Sequence, residues 1–273
     1  MYYIVLFLAG LTGGFLSGLA GVGGGLIFIF ILEEGLKLHG VPEAQLAAFV
    51  TANSIFVITF SSGAGSFEHF KKGEFDMKAV FSTAVVSIPM AWLIQHYIIN
   101  EGLISLEVFN WIILSLLLLL IIKQLFQKSS NIRKDEKNVK PWKYSLAGAT
   151  GGAVAAFSGL GGGVAMVPVL TGVLKLPIHK AKSISLGVIF CTAVMMSLFN
   201  LIYSPSYDTG FYQVGYVFLL DGVILVVGVL VTAKLGVRVA RKISAKGVTI
   251  IFTILIVGLI IKKLWTITGG LHL

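Results

Sequence analysis

Charge is scarce in this chain. Asp, Glu, Lys and Arg together make up 12% of 273 residues, where a soluble domain carries about 25%. With 56% hydrophobic residues and a mean hydropathy of +0.94, there is more apolar surface than a soluble core can absorb. A soluble enzyme and a disordered chain are excluded. Cysteine is nearly absent too: the single Cys191 permits no intrachain disulfide, which excludes a secreted disulfide scaffold and leaves the redox compartment open. No His/Cys cluster has metal spacing, no Ser/His/Asp set suggests hydrolysis, and no cofactor is expected. Gly21-x-Gly23 is not a nucleotide fingerprint, because no strand precedes it and position 26 is leucine. Met1-Tyr2-Tyr3 places no Lys or Arg ahead of the first apolar run, so that run is expected to stay in the membrane.

What is present is a series of apolar runs, at about 2–32, 44–62, 79–99, 103–126, 144–174, 181–203, 211–233 and 247–265. A membrane-spanning helix needs roughly 17–25 residues. Six runs fit one helix each. The first and fifth are too long, and each is interrupted by glycine. Thr12–Leu32 reads TGGFLSGLAGVGGGLIFIFIL, and Thr150–Leu170 reads TGGAVAAFSGLGGGVAMVPVL. A shift of 138 residues superposes Gly21 on Gly159 and Gly23-Gly24-Gly25 on Gly161-Gly162-Gly163. With slight drift the same register pairs LLIIKQLF (119–126) with GLIIKKLW (258–265), so the chain reads as an internal duplication. The repeats are 1–126 and 144–273, joined by a basic linker at 127–143.

The net charge of +9 is informative by position. If every run crosses once, the 21 Lys and Arg residues show no side preference. If the first and fifth runs turn back at their glycines, 18 fall on one side and 3 on the other. The expected fold is an all-α polytopic integral membrane protein of two inverted repeats. Each has a glycine-broken helical hairpin and three further transmembrane helices. The linker would be cytoplasmic, both termini outside, and the location the cell (inner) membrane. The excess charge is then no nucleic-acid patch, and homo-oligomerisation stays open.

The glycine clusters Ser17-Gly18-Leu19-Ala20-Gly21-Val22-Gly23-Gly24-Gly25 and Ser158-Gly159-Leu160-Gly161-Gly162-Gly163 resemble those of the TauE/SafE family of sulfite-exporter-like transporters. A following Ala-x-x-Thr-Ser-like stretch is similar as well. It stands as Ala48–Ala52 in the first half and Ala181–Ser185 in the second, departing from the pattern at Ala52 and Ile184. The resemblance covers the whole chain and implies transport of small anions, mostly sulfur oxyanions and organosulfonates.

The residues themselves fit an anion pathway. Broken backbone at membrane depth is tolerated where it lines protein or a cavity. Helix N-termini in inverted-repeat carriers point at anionic groups near the midplane. Gly23, Gly24 and Gly25 would open one half-helix there, and Gly161, Gly162 and Gly163 the other. Glycines can equally serve close packing, and Gly10, Gly14 and Gly18, like Gly148, Gly152 and Ala156, form small-xxx-small faces assigned to that role. Thr51, Asn53 and Ser54, with Ser183, Ser185 and Thr192, are candidate donors to a desolvated anion or bonds between helices. Asp221, mid-run in 211–233, is a candidate proton carrier or a paired acid that locks helices. Glu33 and Glu34 read as interface residues. The function expected is secondary transport of a small anion with alternating access at a midplane site. The alternative is a non-transporting scaffold or partner subunit whose glycine faces only pack helices.

Overall fold

In a computed structural model of the chain, each apolar run is helical along most of its length. The structure describes residues 1–273 apart from 22, 127–140, 206, 209, 211, 244 and 268–273. Most of the 127–143 linker therefore lies outside the described residues. The first long run divides into α1 (Tyr2–Ala20) and α2 (Gly25–Leu38), and the fifth into α6 (Pro141–Ser158) and α7 (Gly163–Gly172). Between them stand α3 (Glu43–Lys71), α4 (Met77–Ile94, prolonged by a wide turn over Gln95–Ile99) and α5 (Leu106–Phe126). After them come α8 (Ile178–Ile202), α9 (Leu219–Lys242) and α10 (Ala245–Ile267). Among the described residues, five helices are long and apolar enough to cross a membrane: Tyr2–Leu19, Glu43–Lys71, Met77–Ile99, Ile178–Ile202 and Leu219–Ala240. This is an all-α, multi-pass membrane protein.

Both long runs turn back. The Tyr2 hydroxyl at the start of α1 lies on Gly35 near the end of α2, and the Phe28 ring lies on Gly13. The two helices are thus antiparallel. In the second hairpin, Met166 of α7 lies on Gly151 of α6.

The hairpins dock on helices from the other half of the chain. Gly10, Gly14 and Gly18 of α1 meet the α9 backbone at Leu225, Val229 and Ala233, which makes those two helices parallel. Gly148 and Gly152 of α6 meet α4 at Thr83 and Ser87 in the same sense. Lipid supplies no hydrophobic drive for helix association, so backbones brought together by small residues supply it through dispersion. Thr232 Oγ1 adds a 2.6 Å hydrogen bond to Leu11 O across the first of these seams. Helices α3 and α8 pack antiparallel through the centre, with Gly63 on Phe190, Gly65 on Leu186 and Thr59 Oγ1 3.0 Å from Ser197 Oγ.

Two local departures from simple helices matter for the site. Pro89 sits inside α4, where it removes one backbone hydrogen bond. The run at 211–233 does not start as a helix: Gln213–Val214 and Val217–Phe218 pair as two short antiparallel strands, and α9 begins only at Leu219.

Candidate functional site

The two glycine turns have nearly the same backbone. Gly23 and Gly24 have φ of 89° and 76°, and Gly161 and Gly162 have 88° and 74°. Gly24 and Gly162 are the residues that lead into α2 and α7, so the unpaired first N–H groups of both helices issue from these turns. The turns also touch one another: a Cβ placed on Gly25 would lie 2.7 Å from Leu160 Cα. Ile58 of α3 and Ile189 of α8 flank them both. A Cβ on Gly23 would stand 3.3 and 3.5 Å from their Cγ2 atoms, and one on Gly161 3.2 and 3.4 Å.

Side chains of α3 and α8 hold the carbonyls of these turns. Ser54 Oγ donates to Gly159 O at 2.7 Å, Ser185 Oγ to Gly21 O at 3.3 Å and Ser61 Oγ to Gly23 O at 2.7 Å. Matched contacts fix the correspondence between the halves: Thr51 with Lys182, Ser54 with Ser185, Ile58 with Ile189. The pairing of Ala48–Ala52 with Ala181–Ser185 suggested by the sequence is therefore displaced by two residues. The return arms also differ, 14 residues in α2 but 10 in α7, which sequence similarity at the glycines does not register.

The structure divides the sequence candidates. Gly23, Gly24, Gly25, Gly161, Gly162 and Gly163 form the turns, and Thr51, Ser54 and Ser185 lie against them. Thr51 Oγ1 is fully buried without a hydrogen-bond partner. Asn53 faces elsewhere: its Nδ2 donates to Phe49 O and Tyr216 O, and its Oδ1 accepts from Phe218 N, tying α3 to the strand pair. Ser183 donates to Glu74 O at the α3–α4 loop, and Thr192 to Ser87 Oγ. Beside Gly161 a cavity of about 10 Å³ remains, lined by Ile55, Ile58, Ala155, Ile189, Thr192, Ala193 and Met196. That volume holds about one water, so the turns meet closed.

Asp221 is not at mid-span. It occupies the first turn of α9, because the strand pair takes up the front of its run. Only 2% exposed, it accepts from the Tyr2 hydroxyl at 2.6 Å and lies 2.9 Å from His39 Nε2, whose ring stacks on Phe218. The acid thus joins the starts of α1 and α9 to the end of α2. Sequence reasoning passed over Tyr2 and His39, which stand 219 and 182 positions away from it.

Glu33, read from the sequence as an interface residue, has partners the sequence did not name. It is buried and bonds Lys263 Nζ at 2.6 Å, with Lys37 3.5 Å away, while Glu34 lies 3.8 Å from Lys262. A signal for it existed in the duplicated segment, where IIKQ in the first copy becomes IIKK in the second.

Residues 6–263 match the family model described as sulfite exporter TauE/SafE. The chain belongs to the TauE/SafE family. Relatives match this TauE/SafE chain over nearly all of its length. A probable membrane transporter protein of Methanocaldococcus jannaschii is 27% identical over 91% of this chain and 90% of its own length. One from Haemophilus influenzae is 26% identical, covering 96% and 99%, and one from Bacillus subtilis 24%, covering 94% and 95%. As a TauE/SafE protein the chain is a membrane transporter, not an enzyme.

Proposed function

We propose that the chain is a secondary carrier of small anions, chiefly sulfur oxyanions or organosulfonates such as sulfite and sulfoacetate. Its site lies where the two glycine turns meet, bounded by Gly23–Gly25, Gly161–Gly163, Thr51, Ser54 and Ser185. One observation carries this reading: two turns of the same geometry, each leading into a helix, meet between Ile58 and Ile189. The positive ends of two helix dipoles suit an anion, and a scaffold has no use for that convergence.

Residues 1–126 and 144–273 act as inverted repeats, with the basic linker in the cytoplasm and both termini outside the cell membrane. Reciprocal docking of α1 on α9 and of α6 on α4 supports the repeats, and the basic residues of the linker support its cytoplasmic side. The closed cavity leaves no room for an anion, so the turns must part to admit one, and relative movement of the hairpins against α3 and α8 provides alternating access. Flux of labelled sulfite or sulfoacetate into proteoliposomes tests the reading; no movement of any small anion refutes it.

Asp221 is the proton-coupling group, placed at one end of the pathway rather than its middle. Its titratable surroundings are Tyr2 and Tyr3 of α1, His39 after α2, and Tyr212 of the strand segment. Asp221→Asn is expected to abolish the pH dependence of flux while leaving a residual rate. Unchanged pH dependence in a folded variant removes Asp221 from the coupling step.

A further inference from the structure

Several cations at the helix bundle are matched to carboxylates. Lys263 bonds Glu33, Lys262 lies by Glu34, Lys180 by Asp76, and Lys72 and Arg238 by Glu68. Lys182 is not matched in this way. It is partly buried one turn into α8, and its Nζ donates to a neutral carbonyl, Leu19 O, at 3.1 Å. No carboxylate is described within ion-pair distance of it.

Its place is the first glycine turn. A Cβ on Gly21 would lie 2.9 Å from Lys182 Cβ and 3.0 Å from its Cγ, so the missing side chain there makes room for the lysine stem. One turn further along α8, Ser185 holds Gly21 O. At the corresponding position beside the second turn stands Thr51, with its hydroxyl buried and unpartnered. A buried hydroxyl without a partner is uncommon and points to a group absent from the resting contacts. The two halves thus bring an unbalanced ammonium and an unused hydroxyl to the same pair of turns.

We propose that Lys182 is the counter-charge of the transported anion, with Thr51 as the donor from the opposite side. This rests on the carrier reading above and narrows its substrate. One fixed positive charge, with no fixed carboxylate against it, neutralises one negative charge. A dianion would carry a second, uncompensated charge into a desolvated junction, which is costly. The pathway therefore selects a compact oxyanion head bearing a single charge, a monoanionic sulfonate in preference to sulfate, and among the substrates proposed above it favours hydrogen sulfite over sulfoacetate, whose carboxylate adds a second charge. Lys182 meanwhile covers the carboxyl end of α1, a resting position it leaves when an anion arrives.

The test is uptake of 35S-labelled methanesulfonate by full-length protein in proteoliposomes, with sulfate as competitor. Lys182→Gln should raise KM by about 10- to 100-fold, the worth of one charge-assisted hydrogen bond, with a smaller effect on the maximal rate. Lys182→Arg should recover most of the loss, and sulfate should compete weakly. Should Lys182→Gln fail to fold, the wild type answers: methanesulfonate should slow acetylation of Lys182 by acetic anhydride, read by mass spectrometry, where chloride at equal ionic strength does not. Unchanged KM in Lys182→Gln, equal acetylation with and without methanesulfonate, or sulfate carried in its place overturns the assignment. A wild type that moves no small anion refutes the carrier reading itself.

Discussion

Gly24→Ala or Gly162→Ala should cost the protein much of its stability, and with it all transport. Two effects add at each position. Alanine in the left-handed region costs about 1–2 kcal/mol, and Gly24 and Gly162 have φ of 76° and 74°. The new methyl must also enter the facing arm of its own hairpin, where Gly13 O lies 2.5 Å from a Cβ on Gly24 and Gly151 O is nearer still to one on Gly162. Neither obstacle is a flexible side chain, so the backbone must shift and the two arms must separate. A total of roughly 3 kcal/mol or more is expected, which for a chain of this size lowers Tm by roughly 6–12 °C. Gly73→Ala is the control. Gly73 also has positive φ, 67°, but a Cβ there meets nothing within 4 Å. It pays the dihedral cost alone, so the difference between the two melting curves measures the close approach at the hairpin. Equal losses at Gly24 and Gly73 would contradict the tight turn.

Those turns were legible in the sequence because length and glycine agreed: two runs were too long for one helix and each held three glycines in succession. The packing glycines were legible too, since a four-residue repeat of small side chains fixes one helix face. Asp221 was not. An apolar stretch of some twenty residues reads as one helix from its ends, and the strand signal in residues 213–218, a glycine among valine and aromatic residues, is too short to outweigh that length. The acid consequently moved from mid-span to a helix start. For Asn53 and Ser183 the sequence left an anion or another element as the partner, and the choice was hidden for another reason. Nearly all of α3 around Asn53 is buried, as is α8 around Ser183, and such helices have no outward face from which to infer direction. Asn53 satisfies the strand pair and Ser183 a loop, while their neighbours Ser54 and Ser185 serve the turns. Partners such as Tyr2 and Asp221, or Glu33 and Lys263, become neighbours only through the docking of distant helices, which local pattern does not encode.

Glu33→Gln should be among the most destabilising single changes in the chain, and more so than Lys263→Met. Both members of the pair are buried, Glu33 at 3% and Lys263 at 1% exposure, with 2.6 Å between Nζ and Oε2. Removing one partner of such a pair leaves a buried charge, at a cost of about 3–5 kcal/mol. The two singles are unequal because the substitutes available differ. Without Lys263, Glu33 keeps Lys37 3.5 Å away, and Lys37 is 33% exposed at its side chain and free to approach. Without Glu33, Lys263 is left with the faces of Phe30 and Phe109, at 5.4 and 5.9 Å, which offset only part of a desolvated charge. Thermal unfolding should therefore give a Tm drop of roughly 6–20 °C for Glu33→Gln and a smaller one for Lys263→Met. The double variant carries no buried charge and should lie near the wild type, so the double-mutant cycle should return a large coupling energy. Singles that add independently would mean that the two groups do not share one site. The pair also has a consequence for transport. It fastens α10 to α2, the returning arm of the first hairpin, so any movement of that hairpin carries α10 with it or breaks a buried ion pair. In the carrier proposed above, the first course would keep the ion pair intact and let the first hairpin and the last helix move together. A double variant with wild-type stability but altered flux would reveal that coupling directly.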